Sequence, residues 1–192
     1  MSARVYIETE RLVLRDWREE DAAPFATMNA DPRVMEFFLR PLTRPESDAA
    51  VARMRAFIRD HDYGLFAAEE KRSGAFLGFV GLSPVPFEAP FTPATEIGWR
   101  LARTAWGSGY ATEGARAVLG DAFERLKFLE LVSFTAEWNT RSRRVMEKIG
   151  MRHDPAGGFL HPSLPPEHKL ARHVLYRIEA GWGQASAGIS DA

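Results

Sequence analysis

The stretch Trp106-Gly107-Ser108-Gly109-Tyr110-Ala111-Thr112-Glu113 is the part of this chain best suited to chemistry. Its two glycines let the backbone take positive φ and let a ligand approach bare N–H groups. A helical pattern follows. A helix beginning there leaves its first N–H groups unpaired and carries about half a positive charge at its mouth. Such a mouth suits a phosphate or a pyrophosphate. The spacing equally suits a plain tight turn, and spacing alone leaves both readings open. It excludes a P-loop, because no Lys-Ser or Lys-Thr follows. It also misses the dinucleotide pattern, because Thr112 stands where a third glycine is needed.

Other residues could act on protons. Glu96 and Glu137 lie on the two strand patterns that flank this segment, and either carboxylate could be a general base. Each could equally be an ion-paired surface glutamate. Asn139 stands where a helix begins, a favoured N-cap, and Ser142 falls in the first turn of that helix. His61, His153, His161, His168 and His173 show no His-x-x-x-His spacing, and the chain has no cysteine, so no metal site is expected.

These residues need elements to hold them. An apolar strand over residues 95–102 leads into the glycine turn. The helix then runs from Gly109 to about Lys127, with Ala111, Ala115, Val118, Leu119, Ala122, Phe123 and Leu126 on one face. Leu131 to Trp138 alternates as a strand, which makes a βαβ unit with a parallel strand pair. A shorter helix spans Asn139 to Ile149, with Gly150 as its stop. Upstream, residues 4–17 read as one bent strand and Arg18 to Ala30 as a helix. A short second helix is expected to start at Asp31-Pro32 and run through Phe38. Ser47 or Asp48 is the expected cap of the next helix. Residues 63–68 and 75–82 form an antiparallel pair around a Glu70–Gly74 turn. Ser83 to Ala94, with four prolines, reads as a surface connection or as a flap facing the substrate. A strand-like stretch from Met151 leads into a loop or distorted hairpin up to Lys169, and Ala171 to Glu179 closes the sheet.

A chain of 192 residues fits a single domain, taken as residues 1–180 with a disordered tail over 181–192. A net charge of −1 argues against a nucleic-acid partner. The absence of cysteine excludes disulfides and a cysteine nucleophile and fits a cytoplasmic location. No apolar run approaches the roughly 20 residues of a membrane span, so no membrane partner is expected.

The ordered set of Glu96-Ile97-Gly98-Trp99-Arg100-Leu101, then Trp106–Glu113, Asn139-Thr140-Arg141-Ser142 and Glu147-Lys148-Ile149-Gly150-Met151 resembles the GNAT superfamily of acyl-CoA N-acyltransferases. Glu8–Arg15 and Leu175–Ile178 resemble the branch containing the ribosomal-protein N-terminal (alanine and serine) acetyltransferases. The resemblance covers residues 7–179. It implies an α/β (α+β) single-domain GNAT-like fold, with a mixed, mostly antiparallel twisted sheet of about six to seven strands flanked by helices. It implies acetyl-CoA as cosubstrate, no metal, and a primary amine acceptor. The leading acceptor is a protein or peptide N-terminus, with a small molecule such as a polyamine, amino acid or antibiotic as the alternative. A non-catalytic CoA-binding sensor and a homodimer stay open.

The resemblance also implies that acyl-CoA lies where the two parallel strands splay. The pantetheine arm would add to backbone groups near Trp99 and Leu101. The pyrophosphate would sit on the amides of Gly107, Gly109 and Ala111, with Trp106, Ser108, Tyr110 and Thr112 beside them and Arg100 and Arg103 adding charge. Asn139 would touch the pantetheine arm and Ser142 the thioester sulfur. Trp106 departs from the family's Gln or Arg. Met146 stands where many members carry a tyrosine acid, so Ser142 becomes the candidate proton donor, with Glu96 and then Glu137 as base.

Overall fold

The computed structural model describes residues 3–181. The expected bent first strand is a hairpin: β1 (Val5–Glu8) and β2 (Leu12–Arg15) pair antiparallel. Thr9 makes the turn, its N–H donating to the Leu12 carbonyl at 2.9 Å. Helix α1 is Ala22–Ala30. The short helix expected after it is absent; turns run from residue 32 to 37. Helix α2 is Arg44–His61, and its cap is Thr43 rather than Ser47 or Asp48. Thr43 and Glu46 form a reciprocal capping box with Pro45 at the first turn, which satisfies two orphan N–H groups at once. Ser47 is instead fully buried.

Strands β3 (Leu65–Glu70) and β4 (Phe76–Pro84) pair as expected around the Lys71–Gly74 turn. β5 (Thr95–Leu101), α3 (Tyr110–Glu124) and β6 (Glu130–Ala136) form the βαβ unit. Helix α4 is Thr140–Lys148. β7 (Arg152–Leu160) continues through Pro155-Ala156-Gly157-Gly158, and its pairing with β8 (Arg172–Glu179) is interrupted between Asp154 and Phe159. That bulge carries the proline and both glycines past the ladder. The sheet therefore has eight strands, in the order β1-β2-β3-β4-β5-β6-β8-β7, where about six to seven were expected. The expected disordered tail falls almost wholly outside the described residues.

The sheet has a helical layer on each face. A Cβ at Gly114 of α3 would meet Val80 and Leu12, so those side chains face α3. The next residue along, Phe79, points the other way, where its ring lies 6.2 Å from Phe25 of α1. Ile97, Leu101, Val118, Leu119 and Ala122 fill the core on the α3 side. The feature that matters most is at the centre. β5 pairs with β4 along its whole length, but with β6 only at Glu96 and Val132. Beyond that pair the two parallel strands part. The Ser83–Ala94 connection turns inward as well, since Phe87 and Phe91 pack against Phe134 and Phe159.

Candidate active site

A cleft of about 580 Å³ opens where β5 and β6 separate. Its mouth is the glycine turn. Gly107 and Gly109 have φ of +77° and +84°, values that a residue with a Cβ adopts only with strain. Gly109 is the N-cap of α3, and the Glu113 N–H donates to its carbonyl at 3.0 Å. The preceding N–H groups of that turn have no carbonyl one turn back, and Gly109, Tyr110, Ala111 and Thr112 line the cleft.

The turn is clamped from outside by β1–β2. Arg11 donates from Nη1 to the Ser108 carbonyl at 2.9 Å and from Nε to Glu113 at 2.6 Å. The Arg11 N–H and the Thr9 hydroxyl also donate to Glu113, at 2.8 and 2.6 Å. The Ser108 carbonyl is thereby engaged by Arg11. Tyr110 turns its hydroxyl to Glu70 while Arg11 covers its ring. The Trp106 indole donates to the Leu101 carbonyl at 2.9 Å and is stacked by Arg141, 4.5 Å from its centre. Arg141 also pairs with Glu36 at 2.6 Å, tying α4 to the turns after α1.

Along the cleft, the β5 edge that faces β6 is unpaired past Glu96. On the other wall Asn139 caps α4. Its Oδ1 accepts from the Ser142 N–H at 3.3 Å, and its Nδ2 donates to Thr135 Oγ1 at 2.9 Å and Ser142 Oγ at 3.2 Å. The Ser142 hydroxyl thus receives a hydrogen bond and keeps its own proton to give. Glu96 lines the far part of the cleft and is the one carboxylate among the described residues that do so. Burial pushes its pKa up to about 8, against the opposing pull of the Phe134 N–H. His161 and His173, 5.0 Å apart, line the same end. Burial holds both below the usual imidazole range, His173 at about 4.

Most of the residues expected from sequence therefore meet here: Glu96, Trp99, Arg100, Leu101, Trp106, Gly107, Gly109, Tyr110, Ala111, Thr112, Asn139 and Ser142 all line the cleft. Three expectations change. Ser108 lies outside the lining, with its carbonyl held by Arg11. Glu137 is also outside it; the carboxylate lies 4.0 Å from Arg172 at the surface. Arg100 does not reach toward the glycine turn. Its alternation along β5 sends it to the α1 side, where it donates to Asn29 at 2.8 Å. The charge near the turn comes instead from Arg141, Arg144 and Lys148 of α4. Their three- and four-residue spacing was visible in the sequence. Arg11 carried no such signal, because its partner Glu113 is 102 positions away.

An open strand edge leading from an unpaired-amide mouth to a buried carboxyl defines a class of protein, the acyl-CoA-dependent transferases built on a splayed parallel pair. Residues 11–152 match the family described as acetyltransferase (GNAT) domain, and the chain belongs to that family. It is 34% identical over 154 residues to the uncharacterized protein YkkB of Bacillus subtilis, covering 80% of this chain and 88% of that one. It is 33% identical over 188 residues to the FsC-acetyl coenzyme A-N(2)-transacetylase of Aspergillus fumigatus, covering 93% and 79%. A ribosomal L7/L12 alpha-N-protein acetyltransferase solved with coenzyme A shares the fold at a TM-score of 0.73 and 13% identity, covering 92% of this chain and 98% of that one. The protein is an N-acetyltransferase of the GNAT kind, a family that uses acetyl-CoA.

Proposed function

We propose that this protein moves the acetyl group of acetyl-CoA onto the α-amine of a peptide or small molecule by direct attack in a ternary complex. The observation that carries this reading is the continuity of the cleft, which joins the amide mouth, the free β5 edge and Glu96. These parts fit acetyl-CoA. The amides of Gly109, Tyr110 and Ala111, with Arg144 and Lys148, would hold its pyrophosphate. The edge from Trp99 to Leu101 would hold its pantetheine arm as an added strand. Bound acetyl-CoA supplies a thioester carbon for the amine and a thiolate that leaves.

The residues of the chain handle the protons. The ionised Glu96 takes one from the amine nitrogen as the C–N bond forms. Ser142 gives its hydroxyl proton toward the departing sulfur as the C–S bond breaks, and recovers one from water. Asn139 orients Ser142 through its amide. The acidity of Glu96 supports an α-amine over a lysine. A peptide N-terminal α-amine, with a pKa near 8, exchanges a proton with a group near 8 at almost no cost. A lysine amine at about 10.4 would have to give its proton uphill. The FsC-acetyl coenzyme A-N(2)-transacetylase, named for transfer to an N(2) position, is consistent with that choice.

Calorimetric titration with acetyl-CoA, followed by thiol release with α-amine and lysine acceptors, tests the reading. Binding together with faster release on α-amines is expected. Failure to bind acetyl-CoA at millimolar concentration would remove it.

A further inference from the structure

Arg100 is a half-buried cation with a buried Nε and no anion beside it among the described residues. Its Nη1 donates to Asn29 Oδ1 at 2.8 Å, and its Nε is buried with no partner among the described residues. The guanidinium lies 4.1 Å from the centre of the Phe38 ring and 5.5 Å from that of Phe79. No carboxylate of the described residues lies within ion-pair distance of it. Its support is neutral throughout. Asn29, itself fully buried, is held by a 3.1 Å hydrogen bond from its Nδ2 to Ser47 of α2. Three elements, α1, α2 and β5, thus fix one guanidinium in place.

Burying a charge without a partner is costly, and removing it from water is tolerated where a counter-charge arrives. The same chain shows the ordinary solution. Arg15, more fully buried than Arg100, donates to Asp21 at 2.7 and 2.9 Å and to Glu69 at 2.8 Å. Burial draws Arg100 down to about 10, so it still carries its charge at neutral pH.

Position indicates what the partner would be. Glu96, Gly98 and Arg100 share the α1-side face of β5, and all three line the cleft. A Cβ built on Gly98 would meet nothing within 4 Å, so the space above it is open. Glu96 and Arg100 stand on either side, each about 6.6 Å along the strand at 3.3 Å per residue. An amine above Gly98 would have the proton acceptor on one side and the guanidinium on the other.

We propose that Arg100 anchors a carboxylate carried by the acceptor itself, so that the acceptor is an amino acid-type molecule whose amine and carboxylate lie a few bonds apart. This rests on the acetyl-transfer reading above and narrows the acceptor to small amino carboxylates, which are favoured here by the guanidinium and not by the match in proton affinity drawn above for peptide α-amines. No bond is made or broken at Arg100; it positions the acceptor and discriminates. Phe38, whose ring centre lies 4.1 Å from the Arg100 guanidinium, lines the cleft beside it and favours an apolar side chain on that acceptor.

The test is a paired panel. Thiol release from acetyl-CoA is measured with the protein amino acids and, for each, its carboxamide. A second series holds uncharged amines and peptide N-termini. The acid is expected to exceed its amide by at least about tenfold in kcat/KM, as losing one partner of a buried charge pair does. Arg100→Met should bring acid and amide within about twofold of each other at saturating acetyl-CoA. Arg100→Lys should restore part of the preference, which a merely structural arginine would not do. Amides matching acids, turnover confined to peptides or uncharged amines, or a preference that survives in Arg100→Met would each overturn the proposal. Acetyl-CoA binding with no amine acetylated in either series would instead overturn the acetyl-transfer reading, and this inference with it.

Discussion

Replacing Glu96 with glutamine tests the proton chemistry most directly. The substitution keeps the shape and removes the ionisation. With its acidity near 8, Glu96 is ionised in about one molecule in ten at pH 7 and about nine in ten at pH 9. A positioned base typically contributes about 10²- to 10⁴-fold. The ratio of kcat/KM between wild type and Glu96→Gln should therefore reach that range near pH 9 and be roughly ninefold smaller at pH 7. Taking the ratio cancels the titration of the acceptor amine, which affects both proteins alike. The assay is thiol release from acetyl-CoA at saturation, with the amine varied from pH 6 to 9.5. A ratio that stays flat across that range, or lies below about twofold at pH 9, would refute the assignment. Stability offers a check that needs no acceptor. The folded value of about 8 lies above the unfolded carboxyl value near 4.3. The protonated Glu96 therefore stabilises fully below pH 4, and that contribution is lost as pH rises through 8. Glutamine does not titrate, so the Tm of the variant relative to wild type should climb between pH 5 and pH 9.

Ser142→Ala removes the hydroxyl proton beside Asn139 and should lower the maximal rate by about 10-fold or more; a rate within about twofold would dismiss Ser142 as a proton donor. Arg11→Ala releases the Ser108 carbonyl and Glu113 from the outer clamp. Because Arg11 is partly exposed, acetyl-CoA affinity measured by calorimetry should fall only about three- to tenfold, with the saturated rate kept. Gly81→Ala would place a Cβ 1.9 Å from the Gly64 carbonyl oxygen between β3 and β4. A loss of at least about 2 kcal/mol in denaturant unfolding is expected, and an unchanged midpoint would mean that β3 can shift.

The glycine turn shows how sequence and structure divide the work. Gly107 and Gly109 have the positive φ that their position before a helical pattern required. The βαβ unit was legible for the same reason, since local periodicity and turn chemistry are written in neighbouring residues. The capping box of Thr43 and Glu46 was equally local, and its Thr-x-x-Glu spacing could have been preferred over Ser47. Glu96 and Glu137 were indistinguishable on the page. Each is a glutamate on a strand beside the splay, and which one enters the cleft depends on where β6 leaves β5, a long-range register.

Sequence by itself determined the βαβ unit, the anion-ready helix mouth and the family, because ordered motifs and short-range spacing carry that information. Tertiary structure alone decided the parity of β5. Alternation sends Trp99 to the α3 side and Glu96, Gly98 and Arg100 to the α1 side. It also brought Asn29 to Arg100 across 71 positions and Arg11 to Glu113 across 102. Contacts of that kind follow from how the sheet closes around its core, and no local pattern encodes which distant residue will be there to meet them.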